Sequence, residues 1–228
     1  MIQGTATLLL SGGQDSYACL LWSLKNFARV EAVTLAYGQR HEAEIESAKL
    51  LAKLHETSHT IHTIGSFFEG LASSSLLSSQ PDHLSDSHPS APDLPASFVP
   101  GRNGILLSAA GAIAFSRRAG EIHLVIGACE TDYSGYPDCR GDYLKAKETE
   151  LGLGFGRPVT IHAPLLKCSK ADVFRMAREA GRLREMLEQT LTCYRGILEE
   201  HPWGRGCGTC PSCRLRAQGY ADFLEQGA

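Results

Sequence analysis

The chain has 228 residues, 43% hydrophobic and 21% charged, with a formal net charge of −3, the balance of an ordinary globular protein with one well-filled domain and room for a small appendage. No apolar run reaches the length that spans a bilayer, and residues 1–5 carry neither a basic start nor a cleavable signal pattern, so a cytoplasmic protein with no membrane partner is expected. Without a Lys/Arg block, that charge pulls little on a polyanion, which favours a small-molecule substrate over tRNA or DNA.

Residues 5–10 form a nearly continuous apolar run and predict a strand buried on both faces. The run breaks at Ser11, Gly12, Gly13, Gln14, Asp15 and Ser16, and a helical pattern over residues 15–27 follows. Paired glycines between strand and helix make a tight turn where unpaired N–H groups and the helix dipole favour an anion, above all a phosphate. Gly12 and Gly13 let the backbone approach a ligand, and Ser11 and Ser16 offer hydroxyl donors. No Gly-Lys-Ser/Thr ending is present, so this is not a Walker A loop. Asp15 suits holding Mg²⁺ beside phosphates or capping the helix. An ordinary Gly-rich strand-to-helix turn would read the same way.

A second strand over residues 30–37 opens into Tyr37, Gly38, Gln39, Arg40 and His41. From residue 42, Ile45, Ala48, Leu51, Ala52 and His55 recur at helical spacing, and residues 58–64 alternate as a third strand. This alternation predicts a parallel sheet with right-handed crossovers. Residues 65–97 are rich in Ser and Pro and predict a long surface excursion, either a lid or a disordered loop, with Arg102 and Asn103 directly after it. Residues 105–115 predict a helix buried against the sheet, and residues 122–126 a further strand whose end releases a polar, aromatic loop over residues 127–140. A helix over residues 142–151 and a strand over residues 159–162 come next. Ser169, Lys170, Ala171 and Asp172 then have the form of a capping box, with Val173, Met176, Ala177 and Ala180 on one helical face. The polar loops share the carboxyl edge of the sheet, where open α/β sheets bind ligands.

Cys193, Cys207, Cys210 and Cys213 have the spacing Cys-x13-Cys-x2-Cys-x2-Cys. Four thiolates close a tetrahedral Zn²⁺ shell with no vacant position, a structural site that would fold the Gly-rich residues 204–208. An iron–sulfur cluster, a redox dithiol and free thiols are the other readings of this spacing.

The hexapeptide Ser11 to Ser16 resembles the PP-loop of ATP pyrophosphatases, enzymes that split ATP into AMP and pyrophosphate while adenylating a substrate. Together with residues 37–41 (Tyr-Gly-Gln-Arg-His), 98–103 (Phe-Val-Pro-Gly-Arg-Asn), 130–140, 191–194 (Leu-Thr-Cys-Tyr) and 207–217, it resembles the 7-cyano-7-deazaguanine synthase family of queuosine precursor synthesis. The resemblance implies an α/β, parallel-sheet PP-loop ATP pyrophosphatase (adenine nucleotide alpha hydrolase-like) fold with a C-terminal zinc-binding segment. It assigns residues 1–190 to the nucleotide-binding and catalytic domain and residues 191–228 to the zinc-binding segment and C-terminal helix, in a homodimer. The implied activity is ATP-dependent conversion of 7-carboxy-7-deazaguanine and ammonia to the nitrile through acyl-adenylate and amide intermediates. Transfer of the activated acid to another amine, for example on a protein, and a tRNA-modifying PP-loop ligase are the alternatives. ATP, Mg²⁺ and a structural Zn²⁺ on Cys193, Cys207, Cys210 and Cys213 are the implied cofactors.

On this reading Leu10, Ser11, Gly12, Gly13, Gln14, Asp15, Ser16, Tyr37, Gln39, Arg102 and Asn103 bind the nucleotide, and Asp15, Ser16, Arg102 and Lys170 are catalytic. A solvated lysine at a helix start is the alternative for Lys170. Arg40, His41, Glu130, Asp132, Tyr133, Tyr136, Asp138 and Arg140 are the substrate candidates. Carboxylates can accept from the edge of a guanine-like base, tyrosines can pack on its plane, and Arg140 can neutralise a carboxylate; a purely structural turn at residues 134–137 is the alternative. Two features depart from the family pattern: Tyr17-Ala18 after Ser16, and a longer Cys193 to Cys207 interval that contains residues 199–203.

Overall fold

The computed structural model describes residues 1–38, 43–64, 87–88, 90–130 and 136–227. The first apolar run forms β1 (Ile2–Leu9), followed by α1 (Gln14–Asn26), β2 (Phe27–Ala36), α2 (Ala43–Leu54) and β3 (Ser58–Thr63). Two short antiparallel strands, β4 (Ser87–His88) and β5 (Ala91–Pro95), precede α3 (Arg102–Arg117) and β6 (Ile122–Val125). After a 3-10 turn (Pro137–Cys139) come α4 (Gly141–Phe155), β7 (Val159–His162), α5 (Lys170–Glu179) and α6 (Leu183–Gln189). A hairpin of β8 (Glu200–His201) and β9 (Gly204–Arg205) leads into α7 (Pro211–Glu225).

Five strands pair in parallel in the order β3-β2-β1-β6-β7. The chain therefore winds outward from β1 in one direction and then, from β6, in the other, which opens a crevice beyond the carboxyl ends of β1 and β6. Alternate side chains feed two apolar layers. Leu8 and Val125 pack with Tyr17 and Leu20 of α1, Leu51 of α2, Phe174 of α5 and Phe223 of α7. On the opposite face Ile122, Leu124 and Ile126 pack with Leu107, Ala110 and Ala114 of α3 and Leu144 and Leu151 of α4. Each fully buried large aliphatic side chain contributes roughly 1.5 to 3 kcal/mol of transfer free energy.

Element boundaries differ from the sequence pattern where tertiary contacts intervene. Helix α3 starts at Arg102 rather than 105, because the Asp138 carboxylate accepts the Asn103 N–H at 3.0 Å and satisfies a helix-start donor. Phe27 joins β2 instead of ending α1, and α4 runs on to Phe155, stopping at Gly156 with φ 63°. Residues 87–88 and 90–97 of the Ser/Pro-rich stretch include the β4–β5 pair instead of an unstructured loop, whereas residues 65–86 and 89 lie outside the described residues. Among the described residues no helix is long and apolar enough to cross a membrane.

Candidate active site

The glycine-rich loop lies at the crevice where the sheet reverses, and its geometry is set by one hydroxyl. Ser16 Oγ accepts the N–H groups of Ser11 and Gly12, both at 3.2 Å, and donates to the Gly13 carbonyl at 2.9 Å. The hydroxyl expected to reach a ligand thus braces the loop instead. Gly12 has φ 94°, and a Cβ there would stand 2.1 Å from the Glu44 carbonyl oxygen, so the loop seats against α2 only with glycine. The Gly13 N–H is accepted by Ser11 Oγ at 3.3 Å and the Gln14 N–H by Thr192 Oγ1 at 3.2 Å. The N–H groups of Asp15 and Ser16 in the first turn of α1 have no hydrogen-bond partner among the described residues. Gly127 after β6 passes so close that a Cβ would stand 3.2 Å from the Ser16 nitrogen.

These groups open onto a cleft of about 770 Å³. Of the sequence candidates, Ser11, Gly13, Gln14, Asp15, Ser16, Tyr37, Arg102, Asn103, Tyr136 and Lys170 line it. Leu10 and Gly12 are buried behind the loop. Lys170, on the first residue of α5, donates to Asp15 Oδ2 at 2.7 Å, while Asp15 Oδ1 is buried with no partner among the described residues. The predicted capping box is present: Ser169 Oγ accepts the Asp172 N–H at 3.2 Å, and Asp172 Oδ2 accepts the Ser169 N–H at 2.8 Å. Arg102 donates to the Tyr37 hydroxyl at 3.4 Å, with its guanidinium 5.7 Å from that ring's centroid. Tyr136 holds Ser97 through a 2.6 Å hydroxyl contact and packs on Phe98 at 5.7 Å. Both Gln14 side-chain amide atoms are buried without a partner among the described residues.

Three substrate candidates are placed elsewhere. Asp138 caps α3 through the Asn103 N–H, and burial pushes its carboxyl up against the pull of that bond and of Arg102. Glu130 accepts the Gly141 N–H at the start of α4 and pairs with Lys167, which together hold its carboxyl below the usual range. Arg140 is the exposed N-cap of α4. None of the three lines the cleft. Gln39, Arg40, His41, Asp132 and Tyr133 lie outside the described residues.

The cleft also recruits residues without a motif of their own. Glu44 enters from the first turn of α2, and burial pushes its carboxyl up to about 7 despite the opposing pull of Arg102. Thr192 and Tyr194, on either side of Cys193, line a further wall of the cleft. Their only sequence signal was membership of the Leu-Thr-Cys-Tyr stretch. Tyr17, one of the two departures from the family pattern, faces away from the loop and donates to Glu185 at 2.7 Å, with His55 at 3.1 Å.

Beside this wall the sulfurs of Cys193, Cys207, Cys210 and Cys213 lie within 4.8 Å of one another, those of Cys207 and Cys213 at 3.9 Å. A tetrahedral site with Zn–S near 2.3 Å sets its sulfurs about 3.8 Å apart. The Arg195 N–H reaches Cys193 Sγ at 3.4 Å and the Cys210 N–H reaches Cys207 Sγ at 3.3 Å, as suits thiolates. The donor set and its spacing fit a metal such as zinc. The longer interval of the chain folds as the β8–β9 hairpin, with His201 stacked on Trp203 at 4.4 Å, and leaves the four sulfurs convergent.

The chain matches the family described as queuosine biosynthesis protein QueC over residues 5–224. It is 41% identical over 221 residues to a 7-cyano-7-deazaguanine synthase of Bacillus subtilis (strain 168), covering 96% of this chain and 94% of that protein. It is likewise 41% identical over 219 residues to a 7-cyano-7-deazaguanine synthase of Wolinella succinogenes, covering 96% and 93%. Among solved structures, a 4-thiouridine synthetase–RNA complex with bound ATP superposes with a TM-score of 0.50 at 19% identity, over 97% of this chain and 52% of that one. That likeness concerns the fold, which is the parallel α/β fold of PP-loop ATP pyrophosphatases. By sequence over nearly its whole length, the chain belongs to the QueC family of queuosine biosynthesis proteins.

Proposed function

We propose that this protein is an ATP-dependent carbon–nitrogen ligase that converts 7-carboxy-7-deazaguanine and ammonia into 7-cyano-7-deazaguanine. The observation that carries the reading is a single cleft at the sheet reversal holding the first-turn N–H groups of α1, Asp15, Lys170 and Arg102 together. A carboxylate is a poor electrophile. Adenylation makes it an acyl-adenylate and releases pyrophosphate, ammonia then displaces AMP to give the amide, and adenylation of the amide oxygen by a second ATP, again with release of pyrophosphate, allows loss of AMP and a proton to give the nitrile.

In this scheme the N–H groups of Asp15 and Ser16 and the α1 dipole seat phosphate oxygens, while Arg102 and Lys170 stabilise charge that grows on the α-phosphate. Asp15 Oδ1, buried without a partner among the described residues, suits a hard cation, so Asp15 would hold Mg²⁺, which neutralises phosphate charge when bound. Ser16 acts by keeping the loop in register. Tyr37, Asn103 and Gln14 complete the nucleotide wall, and Tyr136 packs on the deazaguanine plane. Asp138 and Glu130 support the site by fixing the starts of α3 and α4. Gln39 would contact the nucleotide, and Arg40, His41, Asp132, Tyr133 and Arg140 the deazaguanine acid. Cys193, Cys207, Cys210 and Cys213 would hold Zn²⁺ as a structural ion, so that residues 191–228 serve as a pinned segment beside a catalytic unit of residues 1–190. A cytoplasmic homodimer acting on small molecules, without nucleic acid, completes the proposal.

Mass spectrometry of the products from 7-carboxy-7-deazaguanine, ATP, Mg²⁺ and ammonium tests it. The nitrile, AMP and pyrophosphate are expected; ADP with inorganic phosphate would overturn the reading. Asp15→Asn should remove most Mg²⁺-dependent pyrophosphate release, a loss of at least about a hundredfold, while the far-UV circular dichroism matches the parent.

A further inference from the structure

The segment after α6 is laced to the glycine-rich loop. The Leu191 N–H donates to the Gly12 carbonyl at 3.0 Å, and Thr192 Oγ1 accepts the Gln14 N–H, the first of α1, at 3.2 Å. The same oxygen accepts from Arg216 Nη1 at 3.3 Å. Arg216 is only 1% exposed and is held in place by three backbone carbonyls, those of Trp203 at 3.0 Å, Met186 at 2.9 Å and Thr190 at 3.4 Å. A backbone N–H and a guanidinium can act only as donors, and a hydroxyl oxygen has two lone pairs. Both lone pairs of Thr192 Oγ1 are therefore occupied, and the hydroxyl can engage a further group only by donating its proton. Among the described residues it has no acceptor for that proton, and it lines the cleft.

We propose that Thr192 is a ligand-binding residue whose hydroxyl donates to a phosphate oxygen of the nucleotide. The acceptor must be a lone-pair atom beside the first turn of α1, because Thr192 is anchored on the Gln14 N–H, next in the chain to the N–H groups of Asp15 and Ser16, which have no partner among the described residues. An anion seated on those groups lies within reach of the hydroxyl and gains a charge-assisted bond. Arg216 sharpens the selection, since it blocks the lone pair through which Thr192 could otherwise accept from a donor such as a base amino group. This inference rests on the nucleotide reading above and extends it to a wall that the glycine-rich loop does not supply.

The test is calorimetric binding of α,β-methylene-ATP with Mg²⁺, and of adenosine, to the metal-loaded protein. Thr192→Val, nearly the same shape without the hydroxyl, should weaken α,β-methylene-ATP by roughly tenfold or more and leave adenosine within about twofold. Thr192→Ser should bind both as the parent does. Thr192→Cys, whose thiol donates weakly, should show a smaller loss with the same selectivity and serves if the valine variant folds poorly. An unchanged affinity of both the Val and Cys variants for α,β-methylene-ATP, or an equal loss for it and adenosine, would overturn the proposal and leave the nucleotide reading standing. A parent that binds no α,β-methylene-ATP would overturn both.

Discussion

Glu44 illustrates how one carboxyl is shaped by a cleft that its local sequence does not announce. Burial raises its pKa from 4.5 to about 7, and Arg102 offsets only part of that effect. The folded state thus binds this proton more tightly than the unfolded chain. The corresponding stability is fully present below about pH 4.5 and is lost as the pH rises through about 7. Glu44→Gln, which keeps the shape without the titration, should flatten the decline in melting temperature between about pH 5 and about pH 8. Parallel melting curves for parent and variant would mean that Glu44 is solvated in the native state. Arg102, by contrast, stays cationic throughout this range, so it remains available to an anion whichever state Glu44 adopts.

Helix starts do more to position this site than the loops themselves. The capping box at the head of α5 fixes the first turn from which Lys170 reaches Asp15, and the cap that Asp138 lends to α3 fixes the turn that carries Arg102. Asp172→Ala removes the reciprocal Ser169 contacts and should cost about 1 kcal/mol, or about 2 to 4 °C in melting temperature for a chain of this size. Turnover should fall by more than that stability loss explains at a temperature where the variant is fully folded, because Lys170 would no longer be held against Asp15. Steady-state kinetics alongside thermal melts check this; turnover equal to the parent would mean that Lys170 is placed by its own burial alone. The same logic explains why Asp138 and Glu130 are absent from the cleft wall: each has one carboxylate oxygen committed to an N–H that opens a helix.

Across the molecule, the four-cysteine cluster and the glycine-rich loop are parts of one packed corner. Leu191 bonds to Gly12, Ser212 Oγ donates to the Thr192 carbonyl at 2.6 Å, and Arg216 ties α7 to the β8–β9 hairpin and to the end of α6. Metal at the cysteines would hold this corner against the nucleotide loop, since the segment from 193 to 213 has few large apolar groups of its own. Cys210→Ser should therefore take bound metal from about one ion per chain to well below that, lower solubility, and reduce nucleotide affinity without direct contact. Metal analysis together with calorimetry checks the linkage. Full melting stability in a metal-free parent would sever it.

Much of this architecture was legible in the chain itself. Strands buried on both faces leave continuous apolar runs, paired glycines mark a strand-to-helix turn, and cysteines at metal-ligand spacing keep their signature whatever surrounds them. These local patterns identified the parallel α/β fold, the PP-loop-like hexapeptide, the capping box at Ser169 and the four cysteines that converge. Local pattern could not tell that Asp138 and Glu130 would turn to cap helices, that Ser16 would brace its own loop, or that Glu44 and Thr192 would enter the cleft. A polar side chain's partner is chosen by whichever donor or acceptor the long-range packing leaves unsatisfied beside it. Gln14 and Thr192 are 178 positions apart in the chain, and only the folding of the last segment onto the first turn of α1 made them neighbours.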